Sequence, residues 1–127
     1  MSDSSAKTAE SRQRELRGRH RHIEVRDLSV PSGWLTVVSN FVESVNDVLP
    51  VTSSPFPRVV VDAKEKYGSL RLNVQGTYDL SKDDALETLV DLHEDDAEAT
   101  CMACGGPASE KASVGFTRRC DRAECAR

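Results

Sequence analysis

Cys101, Cys104, Cys120 and Cys125 are the only cysteines in the chain, and they fall as two pairs. The first reads Cys-x2-Cys and runs directly into Gly105 and Gly106; the second, fifteen residues later, reads Cys-x4-Cys. Two thiolates three positions apart can grip one ion only if the backbone folds back sharply behind the second, and the glycines supply that freedom. Four soft thiolates in a tetrahedral shell suit zinc and leave no position open for a substrate or an activated water. The spacing therefore predicts a structural zinc site with these four cysteines as ligands. His93, eight residues before Cys101, is the substitute ligand should Cys125, near the chain end, not complete the shell. Its position on an apolar helical stripe favours a packed core residue instead.

Disulfides are the rival reading of the cysteines, and the compartment decides between them. Residues 1 to 22 contain five arginines and no apolar run. The sequence thus carries no secretory core and no stretch long enough to span a membrane, and the expected location is the cytoplasm, where thiols stay reduced. The segment from Cys101 onward offers few apolar residues, chiefly Met102, Val114 and Phe116. A metal bond must supply much of its order.

No serine or cysteine lies in a nucleophile motif, and no glycine loop could cradle phosphate, so catalysis is not expected. The formal net charge is -4. It is unevenly spread: residues 62 to 100 hold four Lys or Arg against eleven Asp or Glu. That excess argues against nucleic acid as the principal partner.

The elements that must position the cysteines are readable from periodicity. The chain of 127 residues, with 38% hydrophobic content, predicts a single α+β domain of modest core. In it, a small antiparallel hairpin or sheet packs on two helices and is closed by a zinc-ribbon or treble-clef-like knuckle. Residues 1–22 read as a disordered or marginally helical basic arm with His20 and His22 solvated, residues 23–100 as the core, and residues 101–127 as the zinc subdomain packed on it. Ile23 to Val30 alternates weakly as a strand. From Ser32 as N-cap to about Val48, Trp34, Val37, Val38, Phe41, Val45 and Val48 recur at helical steps.

Val59, Val61 and Ala63 then face Leu70, Leu72 and Val74 across a hairpin, and pairing Val61 with Leu72 sets Asp62 opposite Arg71. Ser81 with Asp84 resembles a cap for a second helix to about Ala99, whose buried stripe is Leu86, Leu89, Val90, His93 and Ala97. The opposite face carries Glu87, Asp91, Asp95 and Glu98, with Glu94 and Asp96 beside them. It reads as a solvated face or as a surface for a basic partner.

The run Lys64-Glu65-Lys66-Tyr67-Gly68-Ser69-Leu70-Arg71, followed by Cys101-Met102-Ala103-Cys104-Gly105-Gly106 and by Gly115-Phe116-Thr117-Arg118-Arg119-Cys120, resembles a group of small uncharacterised bacterial and phage proteins. Those pair a Lys-Glu-Lys-aromatic-Gly-x-Leu-Arg hairpin with a cysteine-rich tail. The resemblance covers roughly residues 32–125 and implies no activity.

Around the hairpin tip, Lys64, Lys66, Tyr67 and Arg71 combine cations with an aromatic, suited to an acidic protein surface or to phosphate. The first functional expectation is a non-catalytic, zinc-stabilised protein-interaction module, of the kind that acts as an inhibitor, immunity-like factor or accessory regulator. The alternative is a nucleic-acid-binding zinc protein using the basic arm, the hairpin tip and the tail residues Lys111, Arg118, Arg119 and Arg122. The third is a zinc-dependent redox switch at Cys101 and Cys104.

Overall fold

A computed structural model describes residues 9–54, 56–109, 115 and 117–120. The chain is α+β, with a three-stranded sheet in the order β1-β2-β3. Its elements run α1 (Ala9–Gly18), β1 (Ile23–Ser29), α2 (Leu35–Val48), β2 (Arg58–Lys66), β3 (Ser69–Thr77) and α3 (Asp83–Glu98). Short 3-10 turns, Ser32–Trp34 and Leu80–Lys82, lead into α2 and α3.

β1 pairs with β2 in parallel and β2 with β3 in antiparallel fashion. The parallel pair requires a crossover, and α2 is that crossover. Ile23, Val25 and Leu28, Val59, Val61 and Ala63, and Leu70 and Leu72 bury one face of the sheet. Leu35, Val37, Val38, Phe41, Val42 and Val45 of α2 join them in a single core with Trp34, Leu86 and Ala97. α1 packs beside β1, and α3 beside β3 and α2. β1 keeps its apolar residues inward by a bulge: Val25 pairs with Val61 and Asp27 with Asp62, leaving Arg26 as the extra residue.

The hairpin differs in register from the sequence expectation. Val61 faces Val74, Asp62 faces Asn73, and Lys64 faces Arg71. The cause is the turn. Lys66 pairs directly with Ser69, so the loop is only Tyr67-Gly68, and both adopt positive φ, 55° and 82°. Such two-residue turns match the twist of the strands. The shift from the expected pairing is two residues, which preserves the buried face and changes only the polar partners.

Asp62 therefore does not meet Arg71. Its carboxylate accepts two hydrogen bonds from the bulged Arg26, Nε at 3.1 Å and Nη2 at 2.5 Å. Hydrogen bonding to Arg26 holds the Asp62 carboxyl below its ordinary range, against the opposing effect of burial.

Within the segment read as a disordered or marginally helical basic arm, Ala9–Gly18 form the helix α1, anchored by buried Leu16. Other polar expectations are corrected. His22 is buried rather than solvated, with its Nε2 2.8 Å from the Leu49 carbonyl. His20 Nε2 lies 2.8 Å from Glu43 of α2, which also pairs with Arg19 at 3.2 Å. Ser32 opens a 3-10 turn without a side-chain cap, and before α3 the capping side chain is Asp79, accepting from the Ser81 N–H. His93 sits in the core, its Nδ1 2.7 Å from the Leu89 carbonyl and its ring edge-on to Phe41 at 5.4 Å.

A left-handed backbone costs a residue with a Cβ about 1–2 kcal/mol unless its side chain bonds locally. Tyr67→Asn is expected to raise stability by about 0.5–1 kcal/mol in urea unfolding; a loss would show that the Tyr67 ring holds the turn. Because the folded Asp62 pKa is depressed, the stability it contributes is present above about pH 4 and lost as pH falls through the folded value. Asp62→Asn should flatten that part of the acid unfolding profile.

Candidate metal centre

Thr100 to Ala108 leave the end of α3 and fold into a compact knuckle. Thr100 forms an isolated antiparallel bridge with Pro107, the Cys101 N–H donates to the Gly106 carbonyl at 2.7 Å, and the Gly105 N–H donates to Cys101 at 3.0 Å. Gly105 takes φ 82°, which completes the reversal. The second half of the site runs alongside. Met102 donates to the Arg118 carbonyl at 2.8 Å and Ser109 to that of Arg119 at 2.7 Å, placing Cys120 over the knuckle.

These bonds bring together the sulfurs of Cys101, Cys104 and Cys120, all within 4.8 Å of one another, Cys104 and Cys120 at 3.7 Å. Cys101 and Cys120 are buried and Cys104 is exposed. Backbone amides aim at the sulfurs: Ala103 N–H lies 3.4 Å from Cys101 Sγ, and Gly106 N–H 3.4 Å from Cys104 Sγ. Burial pushes the Cys101 thiol up, but the N–H groups of Cys104, Ala103 and Cys120 outweigh it and bring the thiol down to about 6. Sulfurs within a few ångströms of one another and stabilised as thiolates by backbone donors form a set that could hold a soft metal ion. Cys125, expected as the fourth ligand, lies outside the described residues. His93, the expected substitute, is not a member of the cluster.

The knuckle is joined to the core by residues that the sequence reading did not assign to the site. The Gly33 N–H donates to the Met102 carbonyl at 2.8 Å. Trp34, fully buried, donates its indole N–H to the Thr100 carbonyl at 3.0 Å. A Cβ on Gly33 would collide with the Cys101 carbonyl oxygen and lie 2.6 Å from Met102 backbone atoms, so only glycine permits this approach. The signal in the sequence was the Gly-Trp pair at the head of α2. Trp34 belongs to the apolar helical stripe, whereas Gly33 serves as a backbone contact surface.

The residues expected to bind a partner fall in two places. Lys64, Lys66, Tyr67 and Arg71 do meet at the hairpin tip, where with Glu65 they line a shallow cleft. Tyr67 is 65% exposed, and the Lys66 ammonium lies 5.8 Å from its ring centroid. Lys64 is also 3.8 Å from Asp27 of β1. Arg118 instead lies against Glu98 at the end of α3, 3.7 Å away, and Arg119 immediately precedes Cys120.

Gly33→Ala is expected to destabilise the protein by about 1–3 kcal/mol through overpacking and to weaken retention of any metal the cluster holds, because the clash falls on the carbonyl of Cys101. Competition with a chelator, monitored by metal release, checks this. Unchanged retention would show that the knuckle forms independently of α2.

No protein-family model, curated protein or solved structure matches the chain.

Proposed function

We propose that the chain is a non-catalytic, zinc-stabilised protein-interaction module of the cytoplasm, in which the metal clasps the fold and a partner protein is met by the charged surface. The observation that carries this is the use made of the cysteine cluster. Its backbone is bonded to the head of α2 through Gly33 and Trp34, so a metal there ties the last segment to the core. Zinc is the ion that a shell of thiolates favours, and Cys125 is the proposed fourth ligand.

The hairpin tip supports the second half of the reading. Lys64 and Arg71 are cross-strand partners, and Lys66 and Tyr67 lie beside them at the turn. Cations flanking an exposed aromatic on a short, rigid hairpin suit recognition of an acidic protein surface. An inhibitor or accessory regulator is the kind of role such a module fills.

Elemental analysis of protein purified without added metal should find about one zinc per chain, and Cys125→Ser should lower its retention. Less than half an equivalent, with all thiols titratable, refutes the metal. Affinity capture from the native host should return a protein that Lys64→Glu with Arg71→Glu releases. Capture of a defined DNA or RNA, lost with the same changes, would replace the protein partner with nucleic acid.

A further inference from the structure

Between strand β3 and helix α3 lies a groove of about 430 Å³ lined by Leu72, Asn73, Val74, Tyr78, Asp83, Leu86, Glu87, Val90 and Asp91. Its volume falls within the roughly 300–1,000 Å³ of ligand clefts. Three features fix what would fill it. First, β3 is an edge strand of the sheet among the described residues. In a ladder closed by a two-residue turn, the N–H and C=O groups of Leu70, Leu72, Val74 and Gly76 point away from β2. The Leu72 N–H confirms this direction, since it donates to Glu94 Oε2 of α3 at 2.9 Å. Glu94 thus covers the edge at Leu72, and from there the groove runs on past Val74 to Tyr78.

Second, the apolar side chains of Val74, Leu86 and Val90 form part of the groove's mostly polar wall. Third, among the described residues every charged residue lining it is acidic: Asp83, Glu87 and Asp91. Asp83 is engaged with Tyr78, whose hydroxyl is held above its ordinary pKa by burial and by that carboxylate.

We propose that this groove accepts a short extended segment of a partner protein bearing arginine or lysine at alternate positions, added as a strand beside β3. Backbone bonds would form at Val74 and Gly76. Each inward side chain would lay its aliphatic stem on Val74, Leu86 and Val90 and carry its charge to Glu87 and Asp91, as long cationic side chains do on mixed surfaces. This rests on the protein-interaction reading and names a second face for it, opposite in charge to the hairpin tip.

The probe is an acetylated, amidated seven-residue peptide alternating threonine and arginine, titrated into the metal-loaded full chain and followed by amide chemical shifts. Binding is expected with shifts centred on Val74, Gly76 and the first half of α3. N-methylation of the peptide backbone should weaken it by about tenfold, through lost strand hydrogen bonds. Glu87→Gln combined with Asp91→Asn should weaken it by about fivefold or more without altering the unfolding midpoint.

No binding at millimolar peptide overturns the proposal, as do shifts located elsewhere. Equal binding of the N-methylated peptide also overturns it, and would mark a polycation held by charge alone. If a captured partner is released by Lys64→Glu with Arg71→Glu but not by Glu87→Gln with Asp91→Asn, the groove proposal fails while the interaction module stands.

Discussion

The bond from the Gly33 N–H to the Met102 carbonyl, reinforced by the Trp34 indole on Thr100, is the constraint on which the architecture turns. It joins the 3-10 turn that leads into the crossover helix to the knuckle that carries two of the cysteines. Trp34 is at the same time fully buried in the main core, so one residue serves hydrophobic packing and knuckle placement together. Unpaired buried backbone groups cost about 1–3 kcal/mol each. Opening the knuckle would therefore expose Trp34 and strand polar groups at the head of α2, and whatever stabilises the cysteine cluster stabilises the core.

The polar residues of the sheet do comparable work at its margins. Arg26, extruded by the bulge in β1, reaches Asp62 on β2, so the irregular strand is tied to its neighbour by an ion pair as well as by its ladder. At the other side Glu94 caps an outward N–H of β3, which blunts part of an otherwise open edge. Acidic residues that read as an undivided surface in the sequence thus divide into roles. Glu94 serves the sheet edge, Glu98 meets Arg118, Asp83 and Asp84 occupy the favourable first turn of α3, and Glu87 and Asp91 remain on the groove.

Much of this was legible in the sequence because it depends on period and spacing. The stripe from Trp34 to Val48, the alternation in Val59–Val74, the stripe through Leu86 and His93, and the convergence of Cys101, Cys104 and Cys120 follow from local pattern. What was not legible depends on which distant backbone approaches which. The hairpin register was misjudged by two residues because Tyr67, a bulky residue, gives no sign of a left-handed turn. The parallel placement of β1 and the burial of His22 required knowing that α2 returns the chain to Leu49. Gly33 has no side chain to announce a contact, and its meaning appears only once Cys101 and Met102 are seen against it.

The same connection has a bearing on the order in which the molecule assembles. The hairpin β2–β3 closes through two residues, whereas the Trp34–Thr100 bond joins positions 66 apart in sequence, and distant pairings form late because the chain entropy lost must be recovered from contacts already made. The parallel docking of β1 lies between these extremes. Loop-closure entropy therefore favours nucleation at the centre of the chain, with the knuckle closing late. A transition state of this kind would be insensitive to the cysteines and sensitive to Val61 and Leu72, with the sulfur cluster governing the rate of unfolding instead.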